Sequence, residues 1–323
     1  MMDQAHEAAQ AAQGAPEAAH GAAQVAHGAA GKFDAGQTII GHVANSEHPL
    51  IHIEPIFGID FSISKHVFMV WVVAAITFLV VTSLVRRYLK QADRVPKGGM
   101  NVLEFLVEFL RDTVAEPNLG KKYIASWAPL LLTLFCFILT ANLIGLIPIF
   151  EVLDLADHFV LHTAEGSFFK SLLHGGSTAT ANFNVTVGLA LITFFSIIIA
   201  GTKKHGFIQH WKNLVPKGLA TPVYFLLVPL EFIGMLVRPF TLTMRLAANM
   251  AGGHIAILAI LSFVFIFTEL FASSMAGMGI GFGFSLPLAV AVSGLEIIVV
   301  LVQAYVFTLL SAVFIGMAIH AHH

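Results

Sequence analysis

Two apolar runs in this sequence are longer than a lipid bilayer is thick, and they constrain the fold more than any motif does. The first extends from Pro222 to about Thr268, with Glu231, Arg238, Arg245, Asn249 and His254 as its main polar interruptions. As one helix it is about 70 Å long, at ~1.5 Å per residue. The second, Pro287 to Ile319, reaches about 50 Å by the same rule. A hydrocarbon core of about 30 Å needs only ~20 residues. Each run is therefore either a pair of spans or a single strongly tilted helix. Neither contains a turn-forming polar cluster, so one tilted helix is expected for each. Pro229 and Pro239 can bend the first without ending it.

Composition agrees that lipid is the solvent. Of 323 residues, 57% are hydrophobic and 11% charged, with a mean hydropathy of +0.82. Soluble domains carry about 25% charged residues. A net charge of −2 provides no overall basic field for nucleic acid. The single cysteine, Cys136, excludes an intrachain disulfide and any zinc site built on cysteines. No nucleotide-binding loop and no nucleophile constellation occurs, so this chain is not expected to catalyse a reaction or to hold a cofactor.

The expected fold is an all-α integral membrane protein with about five crossings, at 66–88, 128–150, 180–201, 222–268 and 285–319. Residues 100–115, "NVLEFLVEFLRDTV" at their centre, place Leu103, Leu106, Val107, Leu110 and Val114 at helical spacing. Glu104, Glu108, Arg111 and Asp112 take the other side, as in an amphipathic helix lying along the interface. Residues 1–48 form an Ala/His-rich tail, expected to be disordered, ahead of a membrane domain over 49–323. The tail has neither the basic start nor the apolar core of a signal peptide. Its histidines, among them His6, His20 and His27, lack regular ligand spacing, which favours a solvated tail over a metal site.

Cations set the expected orientation. Arg86, Arg87, Lys90, Arg94, Lys97, Arg111, Lys121 and Lys122 fall between the first two spans, and Lys203, Lys204, Lys212 and Lys217 follow the third. The positive-inside rule makes those segments cytoplasmic. The Glu151–Thr178 segment holds only Lys170 as a cation and belongs outside, as does the N-terminus, with the C-terminus inside.

Arg238 and Arg245 remain within the fourth span, where a central arginine costs about 2.5–3.5 kcal/mol on insertion scales. Glu231, Arg238, Arg245 and Gly252 recur every seven residues, a spacing that drifts only ~20° per step, so they form one stripe. Arg238 reads mainly as structural, snorkelling or pairing with Glu231. Arg245 sits among Ala247, Ala248, Ala251, Gly252 and Gly253, small residues that let another helix approach closely. Asn249 borders the stripe. Glu296 and Gln303 share a face of the last span, and Glu296 is its only carboxylate. His254, opposite Arg245 on its helix, can either relay protons with Glu296 or make an interhelical hydrogen bond.

At this point the sequence resembles a known family. "RPFTLTMRLAANMAGGHI" (Arg238–Ile255) is similar to the signature of subunit a of F-type ATP synthases. So are "NLIGLIPIF" (Asn142–Phe150), "TATANFNVTVGLALITF" (Thr178–Phe194) and "LVQAYVFTLLSAVFIGMA" (Leu301–Ala318), in family order over roughly residues 60 to 320. The resemblance implies that Arg245 is the arginine facing a ring of c subunits and that Asn249 is the asparagine one turn later. It pairs His254 with Glu296 near the outer aqueous path, puts Gln303 close to the arginine, and makes Glu231 an acid on the cytoplasmic side. It also implies partners: the c ring, b-type peripheral-stalk subunits and, through them, the soluble catalytic head. The implied location is a bacterial plasma membrane ahead of a mitochondrial inner membrane. Where some relatives have an aspartate before "NVT", this chain has Asn182 and Phe183. A stand-alone secondary ion transporter using Arg245 and Glu296 is the alternative, though no internal repeat of the kind such folds carry is visible. A purely structural membrane anchor fits poorly with charges at mid-span.

Overall fold

A computed structural model describes Gly36 and residues 62–90, 96–146, 178–212, 221–270 and 274–320. The rest of the tail and all but Thr178 of the Glu151–Thr178 segment lie outside the described residues. Every regular element among the described residues is a helix, and five are long and apolar enough to cross a membrane. The chain is thus an all-α membrane protein.

Helix α1 is Lys65–Leu89. Only 11% of its most apolar window is buried within the chain, against 39% for the next two crossing helices, so α1 is peripheral. Helix α2, Gly99–Phe109, runs on through a π-helical stretch at Leu110–Ala115 into the short α3, Glu116–Leu119. The amphipathic pattern predicted over 100–115 therefore becomes α2 plus a wider turn that aims Leu110, Val114, Ala115 and Leu119 into the core. Gly120, at φ 77°, takes a conformation that a side chain would strain, and reverses the chain into α4.

Helix α4, Lys121–Leu146, starts earlier than the predicted 128. Pro129, near the start of the predicted span, therefore sits inside the helix, which already begins at Lys121 and Lys122. A 3₁₀ turn at Ala179–Ala181 leads to α5, Phe183–His205. Asn182 caps α5, its Oδ1 accepting from the Asn184 N–H at 2.9 Å. Helix α6, Phe207–Lys212, folds back so that His210 lies against Gly201, where any side chain would collide with its ring.

The overlong runs are each one helix, α7 at Thr221–Leu270 and α8 at Ser274–Ile319. Both contain prolines, Pro229 and Pro239 in α7 and Pro287 in α8, and neither stops there. At ~1.5 Å per residue α7 is about 75 Å long, so it lies oblique to a bilayer or projects beyond it. Helix α8 starts well before the predicted 285, because its glycine-rich start is packing surface and not loop. A Cβ on Gly281 would stand 2.8 Å from the Val264 Cα.

Helices α7 and α8 form the most extensive pairing in the chain. Their antiparallel register can be followed by contacts. Arg238 lies 5.5 Å over the Phe314 ring, Asn249 bonds Gln303, Gly253 meets Glu296, and Gly281 meets Val264. One continuous core joins Leu131, Leu134 and Ile138 of α4, Ala190 and Ile197 of α5, Leu242 and Leu246 of α7, and Ala304, Phe307 and Ile315 of α8. Gly316 lets α8 meet the Asn118 carbonyl, which anchors the α2–α3 arm to the bundle.

Candidate functional site

On α7, Leu242, Leu246 and Met250 recur every four residues and turn into the core. That periodicity forces Thr241, Arg245, Ala248, Asn249 and Gly252 to the outside, where all five are exposed. Exposed apolar residues lie on both helices, Met244 and Ile255 on α7 and Ile297, Ile298 and Leu301 on α8. Gly252, on this side of α7, has nothing within 4 Å of where a Cβ would be, and neither has Gly294 on α8. Arg245 makes no hydrogen bond or ion pair among the described residues. Ion pairs among the described residues include Arg111–Asp112 at 2.6 Å and Lys121–Glu116 at 3.5 Å. At Arg111–Asp112 the guanidinium bond holds the Asp112 carboxyl below its ordinary range.

One turn past Arg245, the Asn249 Nδ2 donates to Gln303 Oε1 at 2.9 Å. Gln303 is itself buried on α8. Asn249 and Gln303, with Asn142 of α4 and Glu296 of α8, line a cavity of about 10 Å³, roughly the space one water needs. Glu296 is 5% exposed, and neither of its carboxylate oxygens has a hydrogen-bond partner. It occupies this place because Gly253 leaves room for it; a side chain there would strike the carboxylate.

His254 adjoins Gly253, and its Nε2 lies 2.7 Å from the Thr178 Oγ1. His254 and Glu296 therefore stand at about one level on neighbouring helices, without a hydrogen bond from the carboxylate to the ring. The turn that carries Thr178 is docked on α4: Thr180 Oγ1 donates to Asn142 Oδ1 at 2.6 Å, and Thr178 packs on Gly145. Asn142, Thr178 and Thr180 are polar members of the site to which the sequence reading gave no role. Asn142 is visible as a polar residue in a mostly apolar run, but its partner Thr180 is not.

The remaining candidates lie apart. Arg238 is not paired with Glu231, as one structural reading expected; its guanidinium stacks on Phe314. The pair are seven residues and thus about 10 Å apart along α7, a long reach for an ion pair, whereas Phe314 is directly opposite. Glu231 is half-buried and about 21 Å along the axis from Arg245. The arrangement thus has an exposed arginine, unpaired among the described residues, an amide pair one turn on, and a buried carboxylate beside a half-buried histidine farther along.

Residues 67–316 match the family described as ATP synthase A chain. The chain is 37% identical to ATP synthase subunit a 2 of Chlorobium luteolum over 294 residues, covering 88% of this chain and 76% of that protein. It is 37% identical to ATP synthase subunit a of Chloroherpeton thalassium over 301 residues, covering 90% and 78%. With ATP synthase subunit a of Chlorobium phaeobacteroides it shares 36% over 305 residues, covering 91% and 78%.

Proposed function

The chain belongs to the ATP synthase A chain family, and from that premise we propose that it is the proton-conducting stator of a rotary ATP synthase. It provides two offset aqueous half-paths to carboxylates on a c ring and turns ion flow into rotation. The observation that carries this reading is Arg245, exposed on a crossing helix and unpaired among the described residues. Against lipid such a charge costs about 2.5–3.5 kcal/mol, so it requires a carboxylate or water from outside the chain. The open backbone at Gly252, on the same α7 face, fits a helix of another subunit coming close.

In this mechanism a proton enters from outside past His254 and Glu296. The cavity shared with Asn142, Asn249 and Gln303 has room for about one bridging water. The proton neutralises a ring carboxylate, which can then turn through lipid, as a charged group could not do cheaply. After most of a revolution that carboxyl loses its proton to the inner path, near Glu231. Arg245 separates the paths, favouring the ionised carboxylate and repelling a hydrated proton. Each charge crossing 100 mV yields about 2.3 kcal/mol for torque. This chain supplies no nucleotide chemistry. It works with b-type stalk subunits and the catalytic head, in a bacterial plasma membrane.

Affinity purification of the tagged chain tests the assembly. A c ring, b-type subunits and the soluble head should copurify in fixed ratio; a stand-alone transporter would purify by itself and carry flux alone. Topology has its own test in a Cys136→Ala background. Lys121→Cys and Lys203→Cys should each react with an impermeant maleimide only from the cytoplasmic side. Reaction of either from outside would overturn the positive-inside orientation.

A further inference from the structure

Between α4, α5 and the end of α8 lies a cavity of about 690 Å³. The proton path does not use it. Lys122, Lys203 and Lys204 line it, and no carboxylate among the described residues does. None of the three lysines is in an ion pair among the described residues. Tyr123 gathers two of them: the Lys204 Nζ lies 5.6 Å and the Lys122 Nζ 5.9 Å from its ring centre. Leu130, Ile199 and Ile319 give it an apolar wall, Ser126 and Ser196 add two hydroxyls, and Trp127 lines the same space. Three ammonium groups with no ion pair among the described residues, on a cavity with an apolar wall, match a molecule with an anionic head and a hydrocarbon body.

We propose that this cavity is a binding site for an anionic phospholipid, its phosphate held by Lys122, Lys203 and Lys204 and an acyl chain lying along Leu130, Trp127 and Ile199. A free phosphate would satisfy the lysines and leave the apolar wall unused, so the lipid is the better occupant. Basic pockets between crossing helices select anionic headgroups by this charge complementarity. Bound there, the lipid ties the start of α4 to the ends of α5 and α8. The inference is independent of the proposed proton path, because none of these residues belongs to it.

Trp127 offers a direct readout, since the chain has only three tryptophans. The full chain carrying Trp71→Phe and Trp211→Phe would be placed in phosphatidylcholine nanodiscs doped with acyl-brominated phosphatidylglycerol, or with acyl-brominated phosphatidylcholine. Trp127 fluorescence should be quenched preferentially by the brominated phosphatidylglycerol. Adding Lys122→Gln, Lys203→Gln and Lys204→Gln should weaken that preference by about fivefold per lysine, the weight of one cation near a membrane surface. A control with Lys90→Gln, Lys97→Gln and Lys212→Gln, three exposed lysines outside the cavity, should quench like the parent. Inorganic phosphate should not displace the lipid. Equal quenching by both lipids, loss of preference in the control, or displacement by inorganic phosphate would each overturn the proposal.

Discussion

Replacing Glu296 with glutamine is expected to cut coupled proton flux by about 10²-fold or more while leaving the complex assembled. Glutamine keeps the shape and cannot take up and release a proton, and losing a positioned acid–base group costs about 10²–10⁴-fold. The structural reason is specific. Both Glu296 oxygens lack partners among the described residues, so the carboxylate holds no hydrogen bond in the described bundle whose loss would unfold it. Two further variants separate chemistry from placement. Gly253→Ala sets a methyl group against the carboxylate and should slow flux less, because a flexible side chain can swing aside. His254→Ala removes the group that Thr178 holds, and should also slow entry. The measurement is ATP-driven acidification of liposomes carrying each assembled complex. Near wild-type flux in a Glu296→Ala, His254→Ala double variant would eliminate the relay.

Much of the fold was legible because its strongest constraint is a length. A run too long to stand upright, without turn residues, leaves little besides one long helix, and α7 and α8 are each continuous. Helix ends were less legible. Lys121 and Lys122 look like loop cations, yet they open α4. The glycines before Pro287 look like a turn, yet Gly281 is the contact that lets α8 pass Val264.

The site divides in the same way. Arg245, Asn249 and Gln303 could be chosen from spacing and family resemblance, and the Asn249–Gln303 bond joins two of them. The contributions of Thr178, Thr180 and Asn142 could not. Their bonds join residues 76 and 38 positions apart, and neither periodicity nor burial pattern encodes which turn docks beside which helix. Arg238 shows the limit from the other side. Its seven-residue spacing from Glu231 is visible in α7 alone, but its Phe314 partner depends on the register between α7 and α8.

Arg245 carries the central claim, and its substitution has the largest expected effect. Arg245→Ala should abolish both ATP synthesis and ATP-driven pumping. Assembly should survive, because the side chain is exposed on the α7 face and bonds nothing in the described bundle. Passive proton leak should rise, since nothing then keeps the two half-paths apart. Arg245→Lys should fail or nearly fail, because a desolvated lysine can surrender its proton and lacks the planar fork of arginine. Arg238→Ala should be milder, as it removes a stacking contact on Phe314. The decisive measurement rebuilds the Arg245→Ala complex into liposomes and follows ATP-driven acidification together with passive leak. No acidification, with leak above wild type and the complex intact, is the predicted result; coupled pumping near the wild-type rate would contradict the account.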